Sequence, residues 1–338
     1  MIRPGKTNLI TDIDGLRVGN AQDDKLKSGA TVLLCDKPAT ASVQILGGAP
    51  GTRDIALLEP HNSVQAVVAL VLSGGSAFGL VAGSGVQNWL RAHDRGFEVG
   101  PVRLPIVPTA MLFVLINGGE KNWAEKSPYA DLGYEAAQQA DQIFELGSHG
   151  AGSGALTATV KGGLGSASTY LAAYGVTLGA LVAVNALGSV TIGNSNHFWA
   201  APFEIDAEFG GLGLPHPLPA NASDLRVKFG DQQNAQDMTN TTIGIIATDA
   251  RLSKAECKRL AIAAHDGYAR ALWPAHTPMD GDLVFAVSTG SVNIEGSMDA
   301  MVALCAHAGS TMARAVARGV FSAHKQAGDI MPVWSSLR

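Results

Sequence analysis

The chain has 338 residues, of which 46% are apolar and 16% charged, with 40 glycines and a net charge of −5; this supports a large, tightly turned core and excludes disorder for most of its length. No run of Lys and Arg occurs, so neither nucleic acid nor an anionic membrane surface is expected as a partner. Cys35, Cys257 and Cys305 are too few and too far apart for a disulfide framework or a metal knuckle, which fits a reducing compartment.

In chain order, the first twenty residues carry Arg3, Lys6, Asp12, Asp14 and Arg17 and lack the apolar run of a secretory signal, so a cytoplasmic location is expected. Short β-rich runs are predicted at Ala30–Leu34, Val64–Leu72, Leu156–Val160, Leu178–Val184, Ser189–Ile192, Ile243–Thr248 and Leu283–Thr289, most of them ending in Gly, Asn or Asp. Helices are predicted at Ser76–His93, Tyr129–Phe144, Ser253–Leu272 and Ser297–Phe321. In the third, Ser253 and Glu256 have capping-box spacing, and Cys257, Leu260, Ala261, Ala264, Tyr268 and Leu272 follow at helical period. In the last, Met301, Leu304, Cys305, Ala308, Met312 and Val316 form a core stripe among many small residues. One compositional break stands out at 214–240, which opens with Pro215, Pro217 and Pro219 and continues through Asn, Asp and Gln, and so reads as an exposed linker. It gives way without a turn to the apolar run that begins at Thr241.

Most familiar catalytic patterns are missing. The glycine-rich loops complete neither a P-loop nor a dinucleotide fingerprint, Gly83-Ser-Gly85 is a truncated elbow inside a predicted helix, and the nine histidines include no His-Glu-x-x-His. No metal or organic cofactor is therefore expected, and His265 and His276 are expected to be structural. What remains is the threonine at the linker-to-strand junction. A Thr hydroxyl is a poor nucleophile unless a base takes its proton, and a free α-amine, with an ordinary pKa of about 7.7 to 8.0, suits that task. A cut between Asn240 and Thr241 would supply one. Read from the residues alone, Thr241-Thr242 is in most proteins an ordinary start to a strand.

Four blocks, spread in order over nearly the whole chain, add to this. They are Ile10-Thr-Asp-Ile-Asp-Gly-Leu-Arg-Val-Gly19; Gly47-Gly-Ala-Pro-Gly-Thr-Arg-Asp54 with Ser73-Gly-Gly-Ser-Ala-Phe-Gly-Leu80; Lys161-Gly-Gly-Leu-Gly-Ser-Ala-Ser168 with Val182-Ala-Val-Asn185; and Asn240-Thr-Thr-Ile243 with His276-Thr-Pro-Met-Asp-Gly-Asp282. In these blocks the chain resembles the self-processing peptidases that include the D-stereospecific aminopeptidase, the β-peptidyl aminopeptidases and the nylon-oligomer (6-aminohexanoate oligomer) endohydrolase. The resemblance implies an α+β fold, a four-layer αββα sandwich of the N-terminal-nucleophile hydrolases, forming a single catalytic domain over 1–338. It implies that the precursor cuts itself into a large chain, 1–240, and a small chain, 241–338. The family's nucleophile stands eight residues ahead of the Asp that closes the strand, here Asp249, which selects Thr241 over Thr242.

The same resemblance places Lys161 and Asn185 beside the nucleophile and brings Asp280 and Asp282 to its amine and hydroxyl. These roles are chemically apt: a lysine lowers the pKa of a nearby amine and steadies negative charge, and an asparagine amide donates to an oxyanion. The expected activity is hydrolysis of amide bonds in small peptides or aminoalkanoate oligomers by a homo-oligomer, a tetramer of two-chain units in the relatives. Asp280-Gly-Asp282 looks more like the oligomer hydrolase than the β-aminopeptidases, which carry Ser and Glu there. Val114 stands where relatives often carry an Asp, so strict aminopeptidase specificity is not implied. Two alternatives remain open: an acyltransferase of the ornithine acetyltransferase type, sharing the nucleophilic Thr, and a non-catalytic binding protein of the same fold.

Overall fold

The computed structural model describes residues 2–230, 240–294 and 296–337. Its strands are β1 (Ile2–Arg3), β2 (Leu16–Asp23), β3 (Ser28–Ile45), β4 (Thr52–Arg53), β5 (Ala66–Ser73), β6 (Phe97–Val99), β7 (Val102–Leu104), β8 (Thr109–Met111), β9 (Gly163–Leu171), β10 (Val176–Asn185), β11 (Thr241–Ala250) and β12 (Leu283–Val292). The helices are α1 (Ala82–Ala92), α2 (Tyr129–Gln138), α3 (Lys254–Ala271) and α4 (Met298–Phe321). The hydrogen-bonded order is β1-β9-β10-β11-β12-β3-β5-β8-β4, with β2 also on β3, while β6 and β7 form a separate hairpin. Two pairs are parallel, β11 with β12 and β5 with β8.

This ladder makes two stacked layers because β3 belongs to both. Its first half pairs with β2 and β5, its second half, Thr40–Ile45, pairs with β12, and the register on β5 shifts between Leu34 and Ala39. Pro38 lies inside that shift, where a residue without an N–H is tolerated. Side chains alternate along each strand, so each sheet has two faces to bury. Three separate cores result. Between the sheets lie Ile243, Ile245, Leu181 and Phe285 against Leu33, Leu70 and Leu72. On one outside, α3 and α4 cover Ile246, Val182 and Val284 with Leu260, Ala264, Leu304 and Met312. On the other, α1 and α2 cover Val32, Leu34 and Val71 with Val86, Leu90, Leu132 and Ala136. Three cores between four layers are the expected αββα sandwich.

Most predicted elements are present, and the exceptions have physical causes. Ser253 caps α3 with both bonds of the box, Glu256 N to Ser253 Oγ at 3.3 Å and Ser253 N to Glu256 Oε2 at 2.7 Å. The predicted strand Leu156–Val160 is instead a buried turn closed by the Leu156–Lys161 bridge, and Ser189–Ile192 makes only isolated bridges to Trp273 and Phe198. The predicted helix Tyr129–Phe144 stops at Gln138, because Asp141 exchanges backbone hydrogen bonds with Val18 of β2. Strand β9 was not predicted, since its Gly-Leu-Gly-Ser-Ala-Ser run has little apolar signal. Close approach of α4 explains the small residues: a Cβ at Gly165 would stand 1.9 Å from the Ala315 carbonyl oxygen. The 214–240 break is exposed at Leu214, Leu218 and Leu225, yet Ala222 and Lys228 are buried, which corrects the reading of this whole stretch as exposed linker; residues 231–239 lie outside the described residues. No helix among the described residues is long and apolar enough to cross a membrane.

Candidate active site

Thr241 opens β11 in the middle of the β9–β12 sheet, where the abrupt start of an apolar run makes the first strand residue a buried one. On one side its register partner is Asn185, the last residue of β10. On the other, the 277–282 turn leads into β12, and its Asp280 pairs with Asn240 in a parallel bridge. Glycines let a third segment brace that turn: Gly47 N donates to Asp282 O at 3.1 Å, Gly48 N to Thr277 O at 3.2 Å and Ala49 N to Asp280 O at 2.8 Å.

The Asn240–Thr241 peptide bond is held at both ends. Asn240 N donates to Met279 O at 2.8 Å, and the Asn240 carbonyl oxygen accepts from Gly281 N at 2.7 Å and from Thr241 Oγ1 at 2.5 Å. A backbone N–H on this oxygen is positioned to stabilise the charge it would carry after attack at the carbonyl carbon. The position admits only glycine without disturbance, because a Cβ at Gly281 would lie 2.8 Å from Thr241 Oγ1 and 2.7 Å from the Ala49 carbonyl oxygen.

Both aspartates are buried. Asp282 accepts from Thr242 N at 2.7 Å through Oδ1, and from His276 N at 3.1 Å and His276 Nδ1 at 3.0 Å through Oδ2. Asp280 accepts from Thr277 N at 2.9 Å and Thr277 Oγ1 at 2.6 Å, with a longer bond of 3.4 Å from Leu187 N. Burial, followed by the charge of Asp282, pushes the Asp280 carboxyl above its ordinary range. Burial would lower the His276 imidazole, but its hydrogen bond to Asp282 and that carboxylate's charge outweigh it and the net shift is upward. His265 packs edge-on to His276, with ring centroids 4.8 Å apart, and burial lowers it to about 4.

Asn185 is fixed by four contacts. Its Oδ1 accepts from Leu156 N at 3.0 Å and Lys228 Nζ at 3.1 Å, its Nδ2 donates to Phe113 O at 3.0 Å, and its backbone oxygen accepts from Lys228 Nζ at 3.2 Å. Two N–H donors on one amide atom identify that atom as oxygen, so the NH₂ group has a single orientation and keeps a second hydrogen. Burial brings the Lys228 ammonium down to about 7, opposed only partly by Asp280.

The structure thus gathers Asn240, Thr241, Asn185, Asp280 and Asp282. It does not join the Lys161 ammonium to Thr241. Lys161 Nζ donates instead to Asp329 Oδ2 at 2.9 Å, Gln326 Oε1 at 3.0 Å and His324 O at 3.2 Å, and Asp329 also pairs with Lys27 at 2.6 Å. Burial lowers Lys161, with Asp329 acting in the opposite direction. Sequence reasoning missed Lys228, which a run of polar residues concealed, and the hydrogen bond of His276, for which the Asp282 six residues on was the only signal. No His/Cys/Asp/Glu cluster among the described residues has the makings of a metal site. A wider apolar cleft lined by Leu252, Met298, Met301, Val302 and Cys305 lies toward the far end of β11 and contains none of these groups.

Comparison with known proteins shows the family. The model of Peptidase family S58 matches residues 8–331. An uncharacterized aminopeptidase of Mycobacterium tuberculosis is 43% identical over 95% of this chain and 96% of its own length. A 6-aminohexanoate-oligomer endohydrolase of Paenarthrobacter ureafaciens is 28% identical over 86% of this chain and 77% of its own. Among solved structures, a Burkholderia sp. beta-aminopeptidase superposes with a TM-score of 0.70 at 21% identity, covering 100% of this chain and 94% of that one. The L-aminopeptidase D-Ala-esterase/amidase of Ochrobactrum anthropi, described as a variant of the Ntn hydrolase fold, does so at 0.68 and 19%, covering 98% and 90%. The fold is that of the N-terminal-nucleophile hydrolases, the activity is amide-bond hydrolysis, and the chain belongs to Peptidase family S58.

Proposed function

We propose that this chain is the precursor of an amidohydrolase that cuts itself between Asn240 and Thr241 and then uses Thr241 as an N-terminal nucleophile. The observation that carries the reading is the convergence of the Thr241 hydroxyl and the Gly281 N–H on the Asn240 carbonyl oxygen, at 2.5 and 2.7 Å. In the precursor, Thr241 Oγ1 attacks the Asn240 carbonyl carbon, the oxyanion is held by Gly281 N–H, and the Thr241 nitrogen leaves with a proton. The resulting ester is hydrolysed by water, which gives a carboxylate on Asn240 and a free amine on Thr241.

The freed amine then takes the proton from its own hydroxyl in each turnover, next to the Asp282 carboxylate that already holds Thr242 N. Asn185, with its second amide hydrogen uncommitted, and Gly281 supply oxyanion donors, and the acyl-enzyme is released by water. The substrates proposed are amide bonds of small peptides or aminoalkanoate oligomers, and the assembly proposed is a homo-oligomer of the two-chain unit. Denaturing mass spectrometry of the purified protein tests the reading. Two fragments of about 25 and 10 kDa, scaled by length from 34.9 kDa, are expected, the smaller beginning at Thr241, and Thr241→Ala is expected to give one uncut, inactive species. An active chain continuous through 240–241 overturns it.

A further inference from the structure

The uncut chain marks where a substrate must lie. In the self-cleavage step Asn240 is the acyl donor, so in later turnovers, once the Asn240 carboxylate has left, the acyl side of a substrate takes its place. The cleft that Asn240 borders is narrow while Asn240 fills it, and is lined also by Phe113, Val114, Ile116, Asn117, Leu156 and Lys228. Its described walls include no carboxylate. Asp280, the acidic group whose charge acts on Lys228, is not a lining residue, and both its oxygens already accept protons from Thr277 and Leu187.

Lys228 is an unusual residue to find there. It is 4% exposed, and no carboxylate among the described residues lies within ion-pair distance of it. Its Nζ donates to the two Asn185 oxygens, which occupies two of the three hydrogens of an ammonium. A buried cation without a counter-ion is costly, and the cost is relieved when an anion arrives at the uncommitted hydrogen. Its backbone is pinned as well, by the 2.8 Å bond from Lys228 N to Leu187 O. An ammonium on the acyl group would meet a like charge in a cleft whose described walls hold no carboxylate, whereas a carboxylate would meet an opposite one.

Resting on the reading of Thr241 as nucleophile, we infer that Lys228 sets acyl-group specificity, and that the preferred substrates are amides whose short acyl chain ends in a carboxylate rather than an ammonium. The lowered proton affinity of Lys228 makes this selectivity pH-dependent. With a pKa of about 7 it is about nine-tenths protonated at pH 6 and largely neutral at pH 8.5, and Asp280 is the titratable group that opposes the shift.

Three nearly isosteric 4-nitroanilides test this: those of succinic acid (one carboxyl free), butanoic acid and β-alanine, which end in carboxylate, methyl and ammonium. For the native protein at pH 6, kcat/KM is expected to fall in that order, with the succinyl compound favoured over the butanoyl by about tenfold or more. That ratio should shrink toward unity by pH 8.5. In Lys228→Met the ratio should be near unity at both pH values, and in Lys228→Arg it should stay high at both. Ratios within one protein cancel any effect of the substitution on Asn185 or on the amount of cut enzyme. Preference of the native protein for β-alanine, or a pH-independent succinyl-to-butanoyl ratio, overturns the inference while leaving the nucleophile in place. This readout needs no variant to fold. An uncut chain with no hydrolysis of any of the three overturns the nucleophile and the inference together.

Discussion

The His276–Asp282 pair makes a quantitative case for how this site is held. His276 adopts φ +57°, a left-handed conformation in which Asn is among the few well-tolerated side chains, so His276→Asn exchanges the ring without adding backbone strain. An Asn amide can replace Nδ1–H as a donor to Asp282 Oδ2, now 3.0 Å away, but it cannot carry a charge. A charge-assisted hydrogen bond in a buried setting contributes about 2 kcal/mol and a neutral donor on the same acceptor about 1 kcal/mol. The substitution should therefore cost about 1 kcal/mol when the imidazole is protonated and close to nothing when it is neutral. The sign follows from the upward shift: the extra stability is fully present below the unfolded pKa of about 6.5 and is lost as pH rises through the higher folded value. Urea unfolding of both forms, in an uncut Thr241→Ala background, would be followed from about pH 5.5 to pH 9. A stability difference of the same size at both ends of that range refutes the charged pair.

Gly281→Ala should abolish or slow self-cleavage at least about a hundredfold, by disturbing the Gly281 N–H on the Asn240 oxygen; time-resolved mass spectrometry of newly made chain checks it. Thr242→Val should still be cut, and should be neutral or stabilising by up to about 1 kcal/mol in thermal unfolding, because the buried Thr242 hydroxyl has no hydrogen-bond partner among the described residues. Asp329→Ala should destabilise the fold by about 3 kcal/mol or more, since Lys27 and Lys161 would both lose their carboxylate while remaining buried; denaturant titration reads this directly.

Elements whose signal is local could be read in advance. The capping box at Ser253 and the 3.6-residue stripe after it locate α3 within a residue at each end, because the cap and the face are both set by neighbours in sequence. Likewise the change at Asn240–Thr241 from polar run to apolar run marks the start of β11. Strand β9 was illegible for the opposite reason: Gly163 and Gly165 have little β propensity, and they are extended because β10 pairs with them and α4 lies against them. Of the site, Thr241, Asn185 and the two aspartates came from motif resemblance, and their meeting is a matter of register: Asn185 faces Thr241 across β10 and β11, and Asp282 precedes the first residue of β12.

Composition and periodicity were thus sufficient for the major helices and central strands and for the junction at which a threonine could become an N-terminus, while the class of fold came from the resemblance of the motifs. They could not locate charge. Lys228 lies among prolines, asparagines and aspartates in a stretch that reads as solvated, yet it is drawn inside by the end of β10, and the Lys161 ammonium is bonded to a carboxylate 168 residues further on. Where an ammonium comes to rest depends on which distant acceptors surround it, and only the packed chain brings those acceptors together.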